Sequence, residues 1–396
     1  MNIKNHNQQN CAKLSDTILP ERYNVRKSFF TILYSLCLAL SLISLIWDIN
    51  VLIKVNALLG VFAFMLLSAR IRREYVPIYL FAGFLVASFF VSSFFVGRTG
   101  WRLLNPILFM ASSLGAAMIL LRGYVYSWGG YIVFYSLAGY FFILMLTGVD
   151  GYSALKYCSF NGVSMVMLIA CISLYIILIN ENKKIDLKPA LFTLVISIWA
   201  IGRSGIASSF VLLLGLLFVM FRAKPRYIFY VIIFLFLTYY LTSATNYLFF
   251  SNAINHYFER SVEGGDSARL AMWTNYFNNL DLSRVIFGVN VVEDPWPEGE
   301  INEYNYHNSF INLHSQTGFM GLVTLALIIF ALFKFYRTNK VFFFLLLALI
   351  LRSSTDLFVF FGRFDFIPFF FIFYYLHEKT RHFQRVAPGR AAKDCP

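Results

Sequence analysis

The residue types best suited to chemistry on a polar substrate are concentrated in one polar segment of this sequence, at about 249–315. Arginine can bind an oxyanion through charge-assisted hydrogen bonds, and histidine can accept a proton near neutral pH. The segment therefore predicts a site in which guanidinium groups bind an anionic group while an imidazole acts as a general base. It contains three arginines and three histidines: Arg260, Arg269, Arg284, His256, His307 and His314.

Arg269 is the arginine of this segment whose surroundings are most informative. It follows Asp266 and Ser267, either of which could be the N-cap of a helix that begins there. Arg269 would then lie in the first turn, where the helix dipole favours acidic residues. Two interpretations stay open: a phosphate-binding arginine, or a surface arginine in a salt bridge with Asp266.

His307 and His314 flank the start of a predicted helix that continues into a membrane span. The two histidines are seven residues apart, which corresponds to two helical turns, so they could share one helix face about 10 Å apart. His307 is a candidate general base, with a local hydrogen-bonding role as the alternative. For His314 the local role is the favoured interpretation.

Further charged residues lie beside predicted spans. Arg203 is placed where two spans meet; because a charge within a membrane costs about 2.5–3.5 kcal/mol, it is either functional or extended towards the interface. Arg352 and Asp356 are four residues apart and can pair on one helix face. Asp356 and Arg363 are also candidates for a functional role. Arg98 is interpreted as an interfacial anchor beside Trp101, with contact to a lipid phosphate as the alternative.

Most of the remaining sequence is apolar. The chain has 396 residues, of which 59% are hydrophobic and 13% charged, whereas soluble domains carry about 25% charged residues. A helix needs about 20 apolar residues to cross a bilayer, and such runs recur along the chain. The pattern predicts an all-α polytopic membrane bundle of about twelve spans, at 28–47, 51–69, 76–96, 103–121, 128–147, 162–180, 189–202, 205–221, 227–247, 316–336, 341–359 and 365–376.

The distribution of basic residues predicts the orientation of these spans. Loops 70–74 and 222–226 are rich in arginine and lysine, as cytoplasmic loops are. This gives a cytoplasmic N-terminal segment at 1–27, a membrane domain at 28–376 with a periplasmic loop at 248–315, and a cytoplasmic tail at 377–396. The net charge of +13 is then explained by topology, so no nucleic-acid partner is expected.

Several chemistries are disfavoured by what these segments contain. The longest internal cytoplasmic loop, at 181–188, has about eight residues, and no glycine-rich phosphate-binding loop is present. There is also no Asp-x-Asp pair for a metal-bound nucleotide sugar. The sequence therefore predicts neither ATP-driven pumping nor a nucleotide-activated donor, and it predicts no metal site and no cofactor.

The order of the charged residues from position 189 to 376 resembles that of the bacterial O-antigen ligases and O-antigen or capsule polymerases. In these families an arginine at an outer helix junction is followed by a long outer loop with an arginine in a helix start, a His-Asn pair, a Gly-x-x-Gly motif, and an aspartate and an arginine. A departure is Gly-Arg-Ser where the family often has Ser-Arg. The corresponding residues are Arg203, Arg269, His307, Asn308, Gly318, Gly321, Asp356 and Arg363.

This resemblance implies a GT-C-like membrane glycosyltransferase of the bacterial inner membrane with a periplasmic active site. Its donor would be an undecaprenyl-pyrophosphate-linked oligosaccharide and its acceptor a glycolipid, with direct displacement and inversion and without a metal. A chain-length regulator is a further candidate partner, besides the lipid bilayer. The implied catalytic residues are His307, Arg269 and Arg203, and the implied substrate-binding residues are Asn308, His314, Asp356 and Arg363.

The sequence leaves alternatives open for the acceptor of the glycan and for the class of activity. The sequence from His307 to Ser315 is more similar to the polymerases, so a polymerase is favoured over a ligase that transfers the glycan to the lipid A core. A lipid-linked glycan flippase, an ion-coupled transporter and a structural membrane protein are the non-enzymatic alternatives. Convergence of Arg203, Arg269 and His307 in one groove would favour the enzyme.

Overall fold

The computed structural model describes residues 4–68, 72–151, 154–155, 161–223, 265–292, 294 and 306–386, and in this part of the chain the regular elements are helical. A short 3-10 turn, Arg73–Tyr75, precedes the third α-helix. The fourteen described α-helices are α1 Lys4–Ile46, α2 Asn50–Ser68, α3 Val76–Phe95, α4 Trp101–Leu121, α5 Ser127–Leu146, α6 Asn161–Asn180, α7 Lys188–Trp199, α8 Arg203–Ala223, α9 Gly265–Asn278, α10 Leu282–Phe287, α11 Ser309–Thr317, α12 Phe319–Thr338, α13 Lys340–Ser353 and α14 Phe366–Val386.

Eight of the described helices are long and apolar enough to cross a bilayer, so the protein is a multi-pass helical membrane protein, as predicted. The predicted seventh and eleventh spans correspond to the shorter helices α7 and α13, and the twelfth to α14. The predicted ninth span, at 227–247, lies outside the described residues. A total of twelve spans stays a prediction. The eight are Tyr23–Ile46, Asn50–Ser68, Arg73–Phe95, Trp101–Leu121, Ser127–Leu146, Asn161–Asn180, Arg203–Phe221 and Phe319–Thr338.

The structure differs from the sequence prediction around the last spans. The helix expected to continue from the His307 region into the tenth span is divided at Gly318, which has a φ of 55°. A Cβ atom at Gly318 would overlap the backbone of Ile286, so only glycine fits here. The eleventh span, predicted to reach residue 359, ends as a helix at Ser353, and an irregular connection at 354–365 follows.

The centre of the bundle is α6. Its side chains from 161 to 178 are all buried, although helices at the bundle surface bury only one face. A helix that is apolar on every side is stable only when it is surrounded, and here α5, α7 and α8 pack around it. This central helix brings its first residue, Asn161, to the end of the bundle that carries the candidate site.

The two ends of the bundle differ in composition. At one end Lys27 Nζ lies 2.7 Å from Glu181 Oε1, and the Arg122 guanidinium lies 3.8 Å from the centre of the Tyr75 ring. We call this the basic end, because the connections there also carry Arg72, Arg73, Lys183, Lys184, Lys188 and Lys340. The opposite end, called the site end, contains the connections at 96–100, 200–202 and 354–365.

Close packing of α2 against α4 depends on two glycines that face each other. A Cβ atom on Gly115 would overlap the backbone of Gly60, and a Cβ atom on Gly60 would overlap that of Ser112. Small residues permit this approach, which replaces lipid contacts with dispersion contacts between helices.

Replacing Gly115 with alanine should therefore destabilise the protein by about 1–3 kcal/mol, because the added methyl group forces the helices apart. Gly139 in α5 is a matched control, since no atom of the described residues lies within 4 Å of a Cβ atom there. Gly139→Ala should keep or raise the thermal unfolding temperature in detergent, and Gly115→Ala should lower it. Equal unfolding temperatures for the two variants would contradict this account of the interface.

Candidate functional site

The start of α11 is hydrogen-bonded to the connection 354–365, and this contact builds the candidate site. Asn308 is the N-cap of α11: its Oδ1 accepts from Phe310 N at 2.9 Å and from Ile311 N at 3.2 Å. Its Nδ2 donates to Ser354 O at 3.0 Å. A single amide side chain thus both begins the helix and fixes it to the residue that follows α13.

Ser309 continues this contact from the next position. Its fully buried hydroxyl donates to Asp356 O at 2.8 Å and accepts from Phe358 N at 2.9 Å and Val359 N at 3.2 Å. One turn further along α11, Asn312 Nδ2 donates to Phe360 O at 2.8 Å. Much of the irregular backbone after α13 is therefore hydrogen-bonded to Ser309 and Asn312 of α11, since it lacks helical partners of its own.

His307 lies just before the N-cap, in the left-handed region with a φ of 46°. Such a conformation is uncommon for residues other than glycine and is often found at functional sites. The imidazole Nδ1 is 3.7 Å from Asp356 Oδ1, an ion-pair distance. His307 is therefore not on one helix face with His314, as the spacing had suggested, because α11 begins only at Ser309.

Asp356 connects His307 to Arg352. Its Oδ2 accepts from Arg352 Nη2 at 3.1 Å, while Oδ1 is on the His307 side. Burial opposes ionisation of this carboxyl, but the neighbouring His307 imidazole and the charge of Arg352 outweigh it and lower the pKa of Asp356 to about 2. An ionised carboxylate beside Nδ1 favours the tautomer in which Nδ1 carries the proton, which leaves Nε2, across the ring, as the basic nitrogen.

Arg269 reaches the same segment from α9. Its Nη1 donates to Thr355 O at 3.2 Å, one residue from Asp356. The alternative partner suggested by the sequence, the Asp266 side chain, lies outside the described side chains. Residues more than 80 positions apart in sequence are thus brought together, and we call Arg269, His307, Arg352 and Asp356 the His307 cluster.

Arg203 begins α8 at the same end of the bundle. A Cβ atom on the preceding Gly202 would lie 3.2 Å from Asn161 Oδ1, and Asn161 O accepts from Arg352 Nη2 at 3.3 Å. The backbone just before Arg203 therefore lies beside the first residue of α6, and that residue contacts Arg352 of the His307 cluster. The spacing in sequence gives no indication of this route.

Arg363 is directed elsewhere. Its Nη2 lies 3.7 Å from Asp48 Oδ1, in the connection between α1 and α2. It also lines a small cavity together with Asn56 and Ser112. The structure thus groups Arg269, His307, Asn308 and Asp356, places Arg203 at the same end of the bundle, and directs Arg363 towards α1 and α2.

His314 joins three helices. The Tyr276 hydroxyl lies 2.5 Å from Nδ1, and Nε2 lies 3.2 Å from Val285 O. A carbonyl can only accept, so Nε2 carries the proton and Tyr276 donates to Nδ1. Burial lowers the pKa of His314, against the opposing effect of the Val285 hydrogen bond. This arrangement gives the neutral imidazole a role in holding α9 and α10 against α11.

The described part of the polar segment has a small core of its own, formed by Tyr276, Val289, Tyr306 and Ile311. Asp294 is buried beside it, accepts from the Tyr306 hydroxyl at 2.8 Å and pairs with Arg284 at 2.9 Å. Arg284 thus supports the fold of this segment. In the described residues, no three histidine, cysteine or carboxylate side chains lie close enough together to hold a metal ion.

Arg98 is the residue whose role the sequence did not reveal. Instead of anchoring the protein at the membrane interface it is buried, and it donates to Val289 O at 2.8 Å, to Gln316 O at 3.2 Å and to Ser315 O. A cation suits the last carbonyls of a helix, which carry partial negative charge. Its position between Gly97 and Gly100, at the end of an apolar span, was the available signal.

No protein-family model matches this chain, and the chain matches no curated protein and no solved structure.

Replacing Arg98 with methionine should destabilise the protein by about 3–5 kcal/mol, because buried carbonyls at the end of α11 lose their donor. Thermal unfolding and hydrogen exchange of residues 282–317 would measure this change. Arg102, an exposed neighbour, is the control, and Arg102→Met should leave both measurements close to wild type. Similar rates of hydrogen exchange in the two variants would contradict this role of Arg98.

Stability should also depend on pH through His314. Its pKa is lowered in the folded state, so its contribution to stability is present above the unfolded pKa of about 6.5 and is lost as pH falls below that value. Between pH 7.5 and 5.5 the wild type should lose about 1 kcal/mol more than His314→Gln. Unfolding temperatures of both proteins across this range test the effect, and parallel curves would argue against it.

Proposed function

We propose that this protein is a membrane glycosyltransferase that uses an undecaprenyl-pyrophosphate-linked glycan as donor and acts as a polysaccharide polymerase. The observation that supports this best is the convergence of Arg269, His307 and Asp356 at one end of a membrane bundle. These residues come from three separate segments, and together they provide a cation, a base and a carboxylate that orients the base. This combination suits displacement of an anionic leaving group by a hydroxyl.

The proposed reaction is a single displacement with inversion. The oxygen of an acceptor sugar hydroxyl bonds to the anomeric carbon of the donor while the bond from that carbon to the pyrophosphate oxygen breaks. The hydroxyl proton passes to Nε2 of His307, and the Asp356 carboxylate stabilises the resulting imidazolium. The negative charge that develops on undecaprenyl pyrophosphate is offset by Arg269, with Arg203 as the second cation. This proton and charge balance requires no metal.

The location of the His307 cluster favours an enzyme over a transporter. A transporter typically places its charged groups near the middle of the membrane, between repeats. Here Arg352 is in the last turn of α13 and Asp356 follows it, so the pair lies at the site end. Positive residues favour the cytoplasm, which would make the basic end cytoplasmic and the site end periplasmic. We also propose that the complete bundle has about twelve spans in a GT-C-like arrangement.

Activity should be lost when the base or the first cation is removed. His307→Ala and Arg269→Ala should each lower glycan transfer by about 100-fold or more, because they remove general-base catalysis or leaving-group stabilisation. The measurement is the length distribution of lipid-linked glycan made by membranes that contain equal amounts of folded protein. Arg337→Ala is the control, because Arg337 is exposed at the basic end, and it should preserve the glycan ladder.

Profiling the glycolipids of a strain that lacks this protein distinguishes the possible acceptors. A deletion strain with single repeat units on the lipid core supports a polymerase, whereas long glycan on the carrier and a bare core supports a ligase. Accumulation of donor on the cytoplasmic side would support a flippase. Undiminished transfer by both His307→Ala and Arg269→Ala would refute the assigned roles.

A further inference from the structure

Arg352 is a fully buried arginine beside the candidate site. Its side chain has no exposed surface, and its guanidinium carbon lies 5.5 Å from the centre of the Phe358 ring. Among the described residues, Nη2 is hydrogen-bonded to Asp356 Oδ2 and to Asn161 O, while Nε and Nη1 have no hydrogen-bond partner there. A buried cation with unpaired donors is poor evidence for a stabilising role, because an apolar side chain of similar volume often serves stability as well.

The geometry of the carboxylate indicates a different reason for this arginine. Asp356 presents one oxygen to Arg352 and the other towards His307, so the arginine and the imidazole lie on two sides of one carboxylate. Leu357 N also donates to Oδ1 at 2.9 Å, and Ser309 fixes the Asp356 carbonyl. The carboxylate therefore has little freedom to turn away from His307.

We infer that Arg352 is a positioning residue that keeps Asp356 ionised and correctly oriented, so that Asp356 can hold His307 for proton transfer. The catalytic role of Arg352 rests on the proposed function, whereas the electrostatic coupling of Arg352, Asp356 and His307 does not. Arg352 also offsets the negative potential of Asp356 at the imidazole. Without it, the carboxylate would favour imidazolium and reduce the fraction of neutral base.

The charged groups around His307 determine the sign of the expected effect. Asp356 faces it from the connection 354–365, with Arg352 on the far side of the carboxylate. Arg269 approaches from α9 through Thr355 O, and Arg203 follows Gly202, whose backbone lies beside Asn161. Removing the charge of Arg352 leaves the anion less compensated, so protonation of His307 should persist to higher pH.

This coupling can be measured without any assay of activity. Diethyl pyrocarbonate reacts with neutral imidazole and not with imidazolium, so the rate of His307 modification against pH, read by peptide mass spectrometry, gives the midpoint of deprotonation. In Arg352→Met this midpoint should rise by about one pH unit relative to wild type. In Arg352→Lys, which keeps the charge, and in Arg337→Met, which removes an exposed charge at the basic end, it should stay near that of the wild type.

A double-mutant cycle in glycan transfer tests the route through Asp356. Arg352→Met and Asp356→Asn should each lower transfer by about tenfold or more, whereas Arg352→Met should cost little further activity when Asp356 is already Asn. In Arg352→Met the acid limb of the pH–rate profile should also move upwards. Losses that are the same at every pH and additive in the cycle would mean that Arg352 has only a structural role.

Two outcomes separate this inference from the proposed function. If Arg352→Met does not fold, Arg352→Lys and the charge-neutral double variant with Asp356→Asn still provide the comparison. Transfer by the double variant far below that of Asp356→Asn alone, or unequal midpoints for wild type and Arg352→Lys, would count against the inference. If the wild type transfers glycan but the Arg352→Met midpoint does not move, the positioning role is overturned alone. If the wild type transfers no glycan while the midpoint rises, the coupling stands and the proposed function fails.

Discussion

The hydrogen bonds between the start of α11 and the connection 354–365 are the interaction on which the candidate site depends. Neither segment has a regular partner of its own, because one is a helix terminus and the other is irregular backbone. Asn308 and Ser309 satisfy both sets of groups at once, with partners at 2.8–3.2 Å. His307 and Asp356 are attached to the two sides of this contact, so their separation follows from it. In an apolar bundle an unpaired backbone group is costly, which makes the arrangement rigid.

Two buried arginines, Arg98 and Arg352, use their hydrogen-bond donors in different ways. Arg98 gives its donors to backbone carbonyls of Val289, Ser315 and Gln316 and so fixes the polar segment to α3. Within the described part of the chain, Arg352 uses one nitrogen, Nη2, for its two hydrogen bonds, and one of these bonds is to a carboxylate. A cation that saturates carbonyls stabilises a fold, whereas a cation that leaves donors unpaired beside an ionised carboxylate is better explained by its effect on that carboxylate.

Several features were accessible from sequence because they are local. Hydropathy located the eight helices that can cross a membrane, and the residue types singled out His307 and Arg269 as candidates for chemistry. Other expectations were wrong because they assumed uninterrupted helix. The break at Gly318 depends on its contact with Ile286, and the left-handed conformation of His307 depends on the N-cap at Asn308. Arg98 was interpreted as an anchor because its carbonyl partners are about 200 positions away.

The sequence by itself determined that the protein resides in a lipid bilayer, that it is helical, and which cationic, imidazole and carboxylate side chains are available. These properties follow from composition and from apolar runs of sufficient length. Only the tertiary structure decided which of these groups meet. Arg269 contacts the residue next to Asp356, Arg363 turns to Asp48, and His314 is enclosed by Tyr276 and Val285. The physical reason is that a hydrogen bond between distant segments depends on how helices end and pack, which no local pattern of hydropathy or charge specifies.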